Sequence, residues 1–356
     1  MDRIECPDNP LMQEDMDAIA KEFPLVDRLK GKSFFITGGT GLIGSQVIKA
    51  LGAINRTHDA GIKIHALARS EEKAKRVLGS LIDRGDVQIV KGDIFSFPYD
   101  EMDVDYIIHG ASPTGSKFFV EKPVETIKTA IDGTIRLLEM AKDKKVGSMV
   151  YLSSLEVYGT PDASQEWMKE NDFGQLDPAK VRSSYSEGKR MAECLCASYA
   201  SEYGVPVKMA RLSQTFGPGV EYDDGRVFMD FTRHALEGQD VILHTKGQTL
   251  RTYLYTKDAV TGILYILLAG ENGESYNITN KETGITILQM AEMVCETVGK
   301  GKVSAKVEIP DDIAGFGYNP EMVIRLDTSK LEALGWKATV GFPDMFIRLA
   351  DGVVRK

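Results

Sequence analysis

Six short runs rich in β-branched and aromatic residues, KSFFITG, IKIHALA, VQIVKGD, VDYIIHG, SMVYLSS and PVKMARL, alternate with helix-length amphipathic segments between residues 32 and 212. Strands joined through helices pair in parallel, and a parallel sheet covered on both faces needs such near-continuous apolar strands. The pattern predicts an α/β fold built on a doubly wound parallel sheet of Rossmann type. Within 125–142 the apolar residues Ile127, Ala130, Ile131, Ile135 and Leu138 fall at helical spacing, and 185–203 behaves likewise. After Arg211 the rhythm breaks into GPGVEYDDGRV, a helix-like FMDFTRHALEG, a short VILHT and the strand-like LRTYLY. We therefore divide the chain into an N-terminal arm over 1–30, with a helix across EDMDAIAKEF, a Rossmann domain over 31–211, and a smaller C-terminal α/β portion over 212–356. Some segments of the last are expected to return to the Rossmann domain.

The first strand runs into FFITGGTGLIGSQVIKAL, where Gly38, Gly41 and Gly44 separate a strand from an amphipathic helix. Glycines there permit a tight turn and let the backbone approach a pyrophosphate at the helix N-terminus. The spacing is G-x-x-G-x-x-G, and its strand-to-helix context is what makes it a dinucleotide site. At the end of the second strand, HALARSEEK offers Arg69 where an acidic residue would meet the adenosine ribose. An arginine suits a ribose 2′-phosphate, so NADP is admitted beside NAD. Asp93 and Ile94 of KGDIF fit an adenine-edge position, and His109 of IIHGAS is expected to pack near the cofactor without taking part in chemistry.

The 356 residues carry a formal charge of −9, which argues against a nucleic-acid or anionic-membrane partner. The N-terminal MDRIECPDNPLMQEDMDAIA lacks a basic and apolar leader pattern, and no apolar run is long enough to span a membrane, so the expectation is a soluble cytoplasmic protein. Cys6, Cys194, Cys196 and Cys295 are too scattered for a disulfide framework and read as buried reduced thiols. No metal site is expected.

Tyr185 and Lys189 of SSYSEGKRMAE lie four apart, on one face of a helix. A lysine ammonium near a phenol favours phenolate and would prepare the tyrosine for proton transfer. With TGGTGLIG, GDI, HGAS, SSLEVYG, YSEGK, TFGPG, LRTY and LDTSKLEALGW in the same order, the sequence from about Gly31 resembles the extended short-chain dehydrogenase/reductase family of nucleotide-sugar epimerases, dehydratases and decarboxylases. The resemblance implies a held nicotinamide cofactor touching Gly38, Gly41, Leu42, Ile43, Gly44, Arg69, Asp93, Ile94 and Ala111, together with Tyr185 and Lys189. It also implies a nucleotide-sugar substrate, UDP-linked, meeting Ser112, Arg182, Gln214, Arg226 and Arg251. Tyr185 with Ser154 would deprotonate the sugar 4-hydroxyl while hydride leaves C4. The family pairs through its two long amphipathic helices, so a homodimer is expected.

The fate of the 4-keto sugar depends on the strand end VYLSSLEVYG. The 4,6-dehydratases usually carry an acid and then Glu there; this chain has Leu155 and Glu156, and leucine cannot donate a proton. A 4-epimerase needs no such carboxylate. Retained Glu156, Arg182 three residues before the tyrosine, and DGRV look most like UDP-glucuronate decarboxylases, in which a C4-oxidised β-keto acid loses CO2. Four-epimerisation and 4,6-dehydration are the alternatives; an NADPH-dependent carbonyl reductase or a non-catalytic nucleotide binder stands further back. Leu155 is expected to pack, pointing away from Ser154 and Glu156 by strand alternation.

Overall fold

A computed structural model describes residues 4–162, 164–310 and 321–353. In chain order, α1 (Pro10–Glu22) precedes β1 (Ser33–Thr37), α2 (Leu42–His58), β2 (Lys63–Ala68), α3 (Glu71–Leu78), β3 (Val87–Lys91) and β4 (Tyr106–His109). Next come α4 (Ser116–Glu121), α5 (Pro123–Asp143), β5 (Ser148–Ser154), α6 (Ser184–Tyr203), β6 (Val207–Leu212), β7 (Gln214–Phe216) and α7 (Val227–Leu236). The remainder is β8 (Val241–Leu243), β9 (Leu250–Tyr255), α8 (Thr256–Ala269), β10 (Ser275–Ile278), β11 (Asn280–Thr286), α9 (Ile287–Thr297), β12 (Ala305–Val307), β13 (Val323–Ile324), α10 (Ser329–Glu332) and α11 (Phe342–Asp351).

Seven strands form one parallel sheet in the order β10-β6-β5-β4-β1-β2-β3. Alternate side chains feed two cores. Phe34 and Ile36 of β1 join Val150 and Leu152 of β5 beneath α1, α2 and α8, while Phe35, Met149 and Tyr151 pack under α5 and α6. Strand order reverses between β1 and β4, so the loops leaving their carboxyl ends part and open a crevice there.

The helices start and stop for local reasons. Asn9 caps α1 by accepting from the Met12 amide at 3.1 Å, Pro10 opens its first turn, and Phe23 turns extended before Pro24. Gly204 ends α6 in the left-handed conformation at φ 68°. The apolar face of α1, Met12, Met16, Ile19 and Ala20, is buried in the same core as α2 and α8.

Two carboxylates tie this N-terminal segment down. Glu5, its side chain fully buried, pairs with Arg56 of α2 and with Arg84. Asp15 accepts from the Tyr255 hydroxyl at 2.6 Å and from Arg348 of α11 at 2.8 Å.

In the C-terminal half, β9 pairs antiparallel with β11 and parallel with β7 and β13, while β8 and β12 form a separate parallel pair. Beneath them Phe216 stacks on Phe228 at 4.6 Å and meets Phe346 at 4.8 Å. From the same half, β10 joins the large sheet beside β6, and α8 packs beneath that sheet.

All four cysteines are unpaired. Cys194 is exposed, which corrects the expectation of buried thiols: two residues on a helix turn the side chain to the face opposite buried Cys196. Among the described residues no helix is long and apolar enough to cross a membrane.

Candidate active site

The crevice opens on the glycine turn after β1. Gly38 sits at φ +72° with its backbone against Gly110, so that a Cβ would lie 2.6 Å from the Gly110 carbonyl carbon. A Cβ on Gly44 would collide with the Gly38 carbonyl oxygen. Gly41 caps α2, and the amides of Leu42 and Ile43 open that helix, whose positive end faces the crevice. This bare backbone cradle fits the pyrophosphate of a dinucleotide.

The other cofactor candidates have these positions. Arg69 is exposed at the end of β2, beside Ser70, which caps α3 by accepting from the Lys73 amide at 3.1 Å. Asp93 accepts from the Phe95 amide at 3.1 Å, and buried Ile94 abuts Gly133 of α5. The Ala111 amide donates to Thr37 Oγ1 at 3.2 Å, and the Ser112 hydroxyl donates to the Pro113 carbonyl at 3.1 Å.

His109 is buried between Thr37, 2.8 Å from Nδ1, and Thr134, 3.2 Å from Nε2. Both ring nitrogens are thus partnered by threonine hydroxyls, each able to donate or accept. Burial, helped by the Lys189 charge, pushes the imidazole down to about 3. The ring is therefore buried in its neutral form.

The candidate catalytic side chains come from the end of β5 and the start of α6. Strand β5 stops at Ser154, which caps a short 3-10 turn over Leu155–Tyr158 by accepting from the Glu156 amide at 3.2 Å. Leu155 therefore lies on a turn and not on a strand, correcting the alternation argument. Its side chain nevertheless packs with Val157, Met168, Ile324 and Leu326.

Lys189 is buried with Nζ donating to the Leu152 carbonyl at 2.7 Å, 4.6 Å from the centre of the Tyr151 ring and 5.8 Å from that of Tyr185. Burial lowers its pKa to about 8, against the opposing charge of Glu193. Burial, and then the Glu156 charge, push the Tyr185 phenol well above its ordinary range, opposed by the Ser154 hydroxyl and by Arg182 and Arg226. Desolvation therefore outweighs the lowering expected from Lys189, whose ammonium is held by the Leu152 carbonyl 5.8 Å from the centre of the Tyr185 ring.

Glu156 and Arg182 meet in a two-pronged pair, Nη2 to Oε1 at 2.9 Å and Nη1 to Oε2 at 3.0 Å, with the Ser186 hydroxyl donating to Oε2 at 3.0 Å. Arg182 was expected to meet substrate; in the fold it holds Glu156. Arg226 pairs with Asp224 through Nε at 3.0 Å and Nη2 at 2.6 Å, its guanidinium 4.7 Å above the Phe228 ring. Arg251 on β9 is half-buried, with Nη2 3.6 Å from the Met322 sulfur and Nε buried without a hydrogen-bond partner among the described residues. Gln214 opens β7, paired with Tyr253 of that same β9.

Two features escaped the sequence reading. Phe119 of α4 stacks on Tyr185, and a buried pair of Arg211 with Glu193 lies near Lys189. Glu193 accepts from the Ser153 hydroxyl at 2.5 Å, and Arg211 donates to the Tyr158 hydroxyl at 3.0 Å. Glu193 stands one helical turn beyond Lys189, a spacing that could have flagged it; nothing local marks Phe119.

Comparison with known proteins places the chain in a family. Residues 34–279 match the NAD dependent epimerase/dehydratase family. UDP-glucuronic acid decarboxylase 6 of Arabidopsis thaliana is 33% identical over 350 residues, covering 94% of this chain and 96% of that protein. UDP-glucuronic acid decarboxylase 3 of the same plant is 33% identical over 308 residues, covering 86% and 84%. Among solved structures, the UDP-glucuronic acid 4-epimerase of Bacillus cereus in complex with NAD superposes with a TM-score of 0.73 at 22% identity, covering 90% of this chain and 97% of that one; this likeness is one of fold. A family match reaching from β1 to the end of the large sheet, with relatives a third identical along nearly the whole length, makes this chain a member of the NAD dependent epimerase/dehydratase family.

Proposed function

We propose that the chain decarboxylates a UDP-hexuronate, in the manner of UDP-glucuronate to UDP-xylose. The observation that carries this reading is Glu156: a carboxylate kept beside Tyr185, aimed by Arg182 and Ser186, which a simple 4-epimerase would not need. The two Arabidopsis thaliana relatives bear the decarboxylase name over most of this chain.

NAD held on the Gly38–Gly44 turn would supply the acceptor for the C4 hydride and return it at the end. Tyr185, as phenolate and with Ser154 beside it, takes the proton of the sugar 4-hydroxyl. The Lys189 ammonium, 5.8 Å from the centre of the Tyr185 ring, and the positive nicotinamide of bound NAD would favour that form against burial. The resulting β-keto acid breaks its C5–C6 bond, CO2 leaves, and the electron pair passes to the C4 oxygen as an enolate. Tyr185 and Ser154 donate to that oxygen, stabilising charge where it develops. C5 then regains a proton, a transfer that Glu156 orients or manages. Arg251, whose Nε is buried without a hydrogen-bond partner among the described residues, supports binding of the nucleotide diphosphate, with Gln214 on the neighbouring strand and Arg226 as further candidates. Dehydration is disfavoured because Leu155, at the sequence position where 4,6-dehydratases usually carry an acid, cannot donate a proton.

NAD is the cofactor of this reading. Exposed Arg69 supports trying NADP beside it. Val124 and Ile127 on α5 and Met191 on α6 are exposed apolar side chains on the two long helices, which supports pairing of two copies there. Unpaired cysteines accord with a reducing compartment such as the cytoplasm.

The test is incubation with UDP-glucuronate and NAD, followed by mass analysis of the nucleotide sugars. A product lighter by CO2 supports the proposal. An isomer of unchanged mass would assign 4-epimerisation, and net consumption of added NADPH would assign a reductase.

A further inference from the structure

Helix α4 is short and mostly exposed, with Phe118 37% and Val120 52% accessible, yet Phe119 between them is only 2% accessible. Its ring lies 4.2 Å from that of Tyr185, with the planes 15° apart. The Arg182 guanidinium stands 5.0 Å from the same Phe119 ring. The Ser184 hydroxyl donates to the Phe119 carbonyl at 3.1 Å, fastening α4 to the start of α6. One side chain from a separate element thus touches both the proton-transfer tyrosine and the arginine that aims Glu156.

From this geometry we infer that Phe119 is a positioning residue, whose flat face sets the plane of Tyr185 and holds Arg182 in register with Glu156. Two parallel rings at this separation resist tilting of either, so the phenol oxygen stays directed toward Ser154. Attraction between guanidinium and ring face restrains Arg182, and its bidentate bonds pass that restraint to the carboxylate. A flexible apolar side chain of similar volume would fill the space without either effect. The ring also shields the phenol from bulk water, so its proton moves to and from bound substrate.

The inference takes its substrate from the proposed decarboxylation, and its test separates the two. Phe119→Met and Phe119→Tyr are compared with the native chain in turnover of UDP-glucuronate and, without substrate, in nitration of Tyr185 by tetranitromethane followed by peptide mass analysis. Phe119→Met is expected to lower kcat by about tenfold to a hundredfold, with KM changed by less than roughly threefold, because misaimed groups cost transition-state stabilisation and leave binding alone. Phe119→Tyr restores the flat face and returns kcat to within roughly threefold of native. Tyr185 is nitrated faster in Phe119→Met and at the native rate in Phe119→Tyr. Native kcat and native nitration in Phe119→Met would overturn the inference, as would equal losses in both variants. A native chain inert toward UDP-glucuronate would count against the decarboxylase reading alone, and the nitration comparison would still decide the role of Phe119.

Discussion

Arg182 grips Glu156 with two parallel hydrogen bonds across 26 residues of chain, and both side chains are more than two-thirds buried. A guanidinium in this geometry fixes the direction of a carboxylate as well as its charge. Replacing it with glutamine leaves Glu156 without its cation. Charge-assisted bonds of this kind contribute about 1.5–3 kcal/mol, so CO2 release by Arg182→Gln should fall by about tenfold to a hundredfold. Lysine, a point charge without the fork, should not restore it. Steady-state CO2 release by the two variants checks this.

Lys189 sets a pH limit. Burial lowers its pKa to about 8, so the ammonium beside Tyr185 is present below that pH and lost above it. Turnover is expected to decline through an alkaline limb centred near 8, and Lys189→Arg, which stays charged, should shift any remaining limb upward. The same depression fixes the direction of the stability change. Between about 8 and the ordinary lysine value of 10.5 the unfolded chain binds more protons than the native one, so this group makes stability rise with pH across that window. A pH–rate profile and urea midpoints at several pH values read the two effects.

Gly38→Ala should abolish dinucleotide binding. The residue has φ +72°, and its new methyl would lie 2.6 Å from the Gly110 carbonyl carbon, so the turn must move away from the cradle that α2 completes. Calorimetric titration with NAD is the check, with circular dichroism to confirm that the variant folds.

Asp15→Ala removes the partner shared by Tyr255 and Arg348 and leaves their polar groups partly buried. Loss of one member of a buried pair typically costs about 3–5 kcal/mol, so the denaturation midpoint should drop clearly. Asp15→Asn, which keeps hydrogen-bonding capacity without charge, should lose less.

Much of the frame was legible because it is local. The six apolar runs became β1 to β6, and the glycine spacing placed the turn before α2. Tyr185 and Lys189 share a helix face because four residues make about one turn. What could not be read is tertiary. Glu156 and Arg182 were each marked by type and position, but their pairing exists only once α6 packs beside the end of β5. Phe119 lies in a run, FFV, whose neighbours are exposed, so no periodicity distinguishes it. The seventh strand, SYNI, is four residues long and comes after a helix from the less regular half, which hides its place beside β6. The phenol of Tyr185 shows the same limit in its energetics: spacing implied a lysine effect, while burial, a property of the whole fold, sets the direction.

The measurement that bears most directly on the central claim is release of labelled CO2 from UDP-glucuronate carrying the label in its carboxyl group, by the native chain and by Glu156→Gln. The account predicts NAD-dependent release by the native chain and a loss of about a hundredfold or more in the variant, the scale of a missing proton-transfer or orienting group. Equal release by both would contradict the role of Glu156, and no release by the native chain would contradict decarboxylation itself.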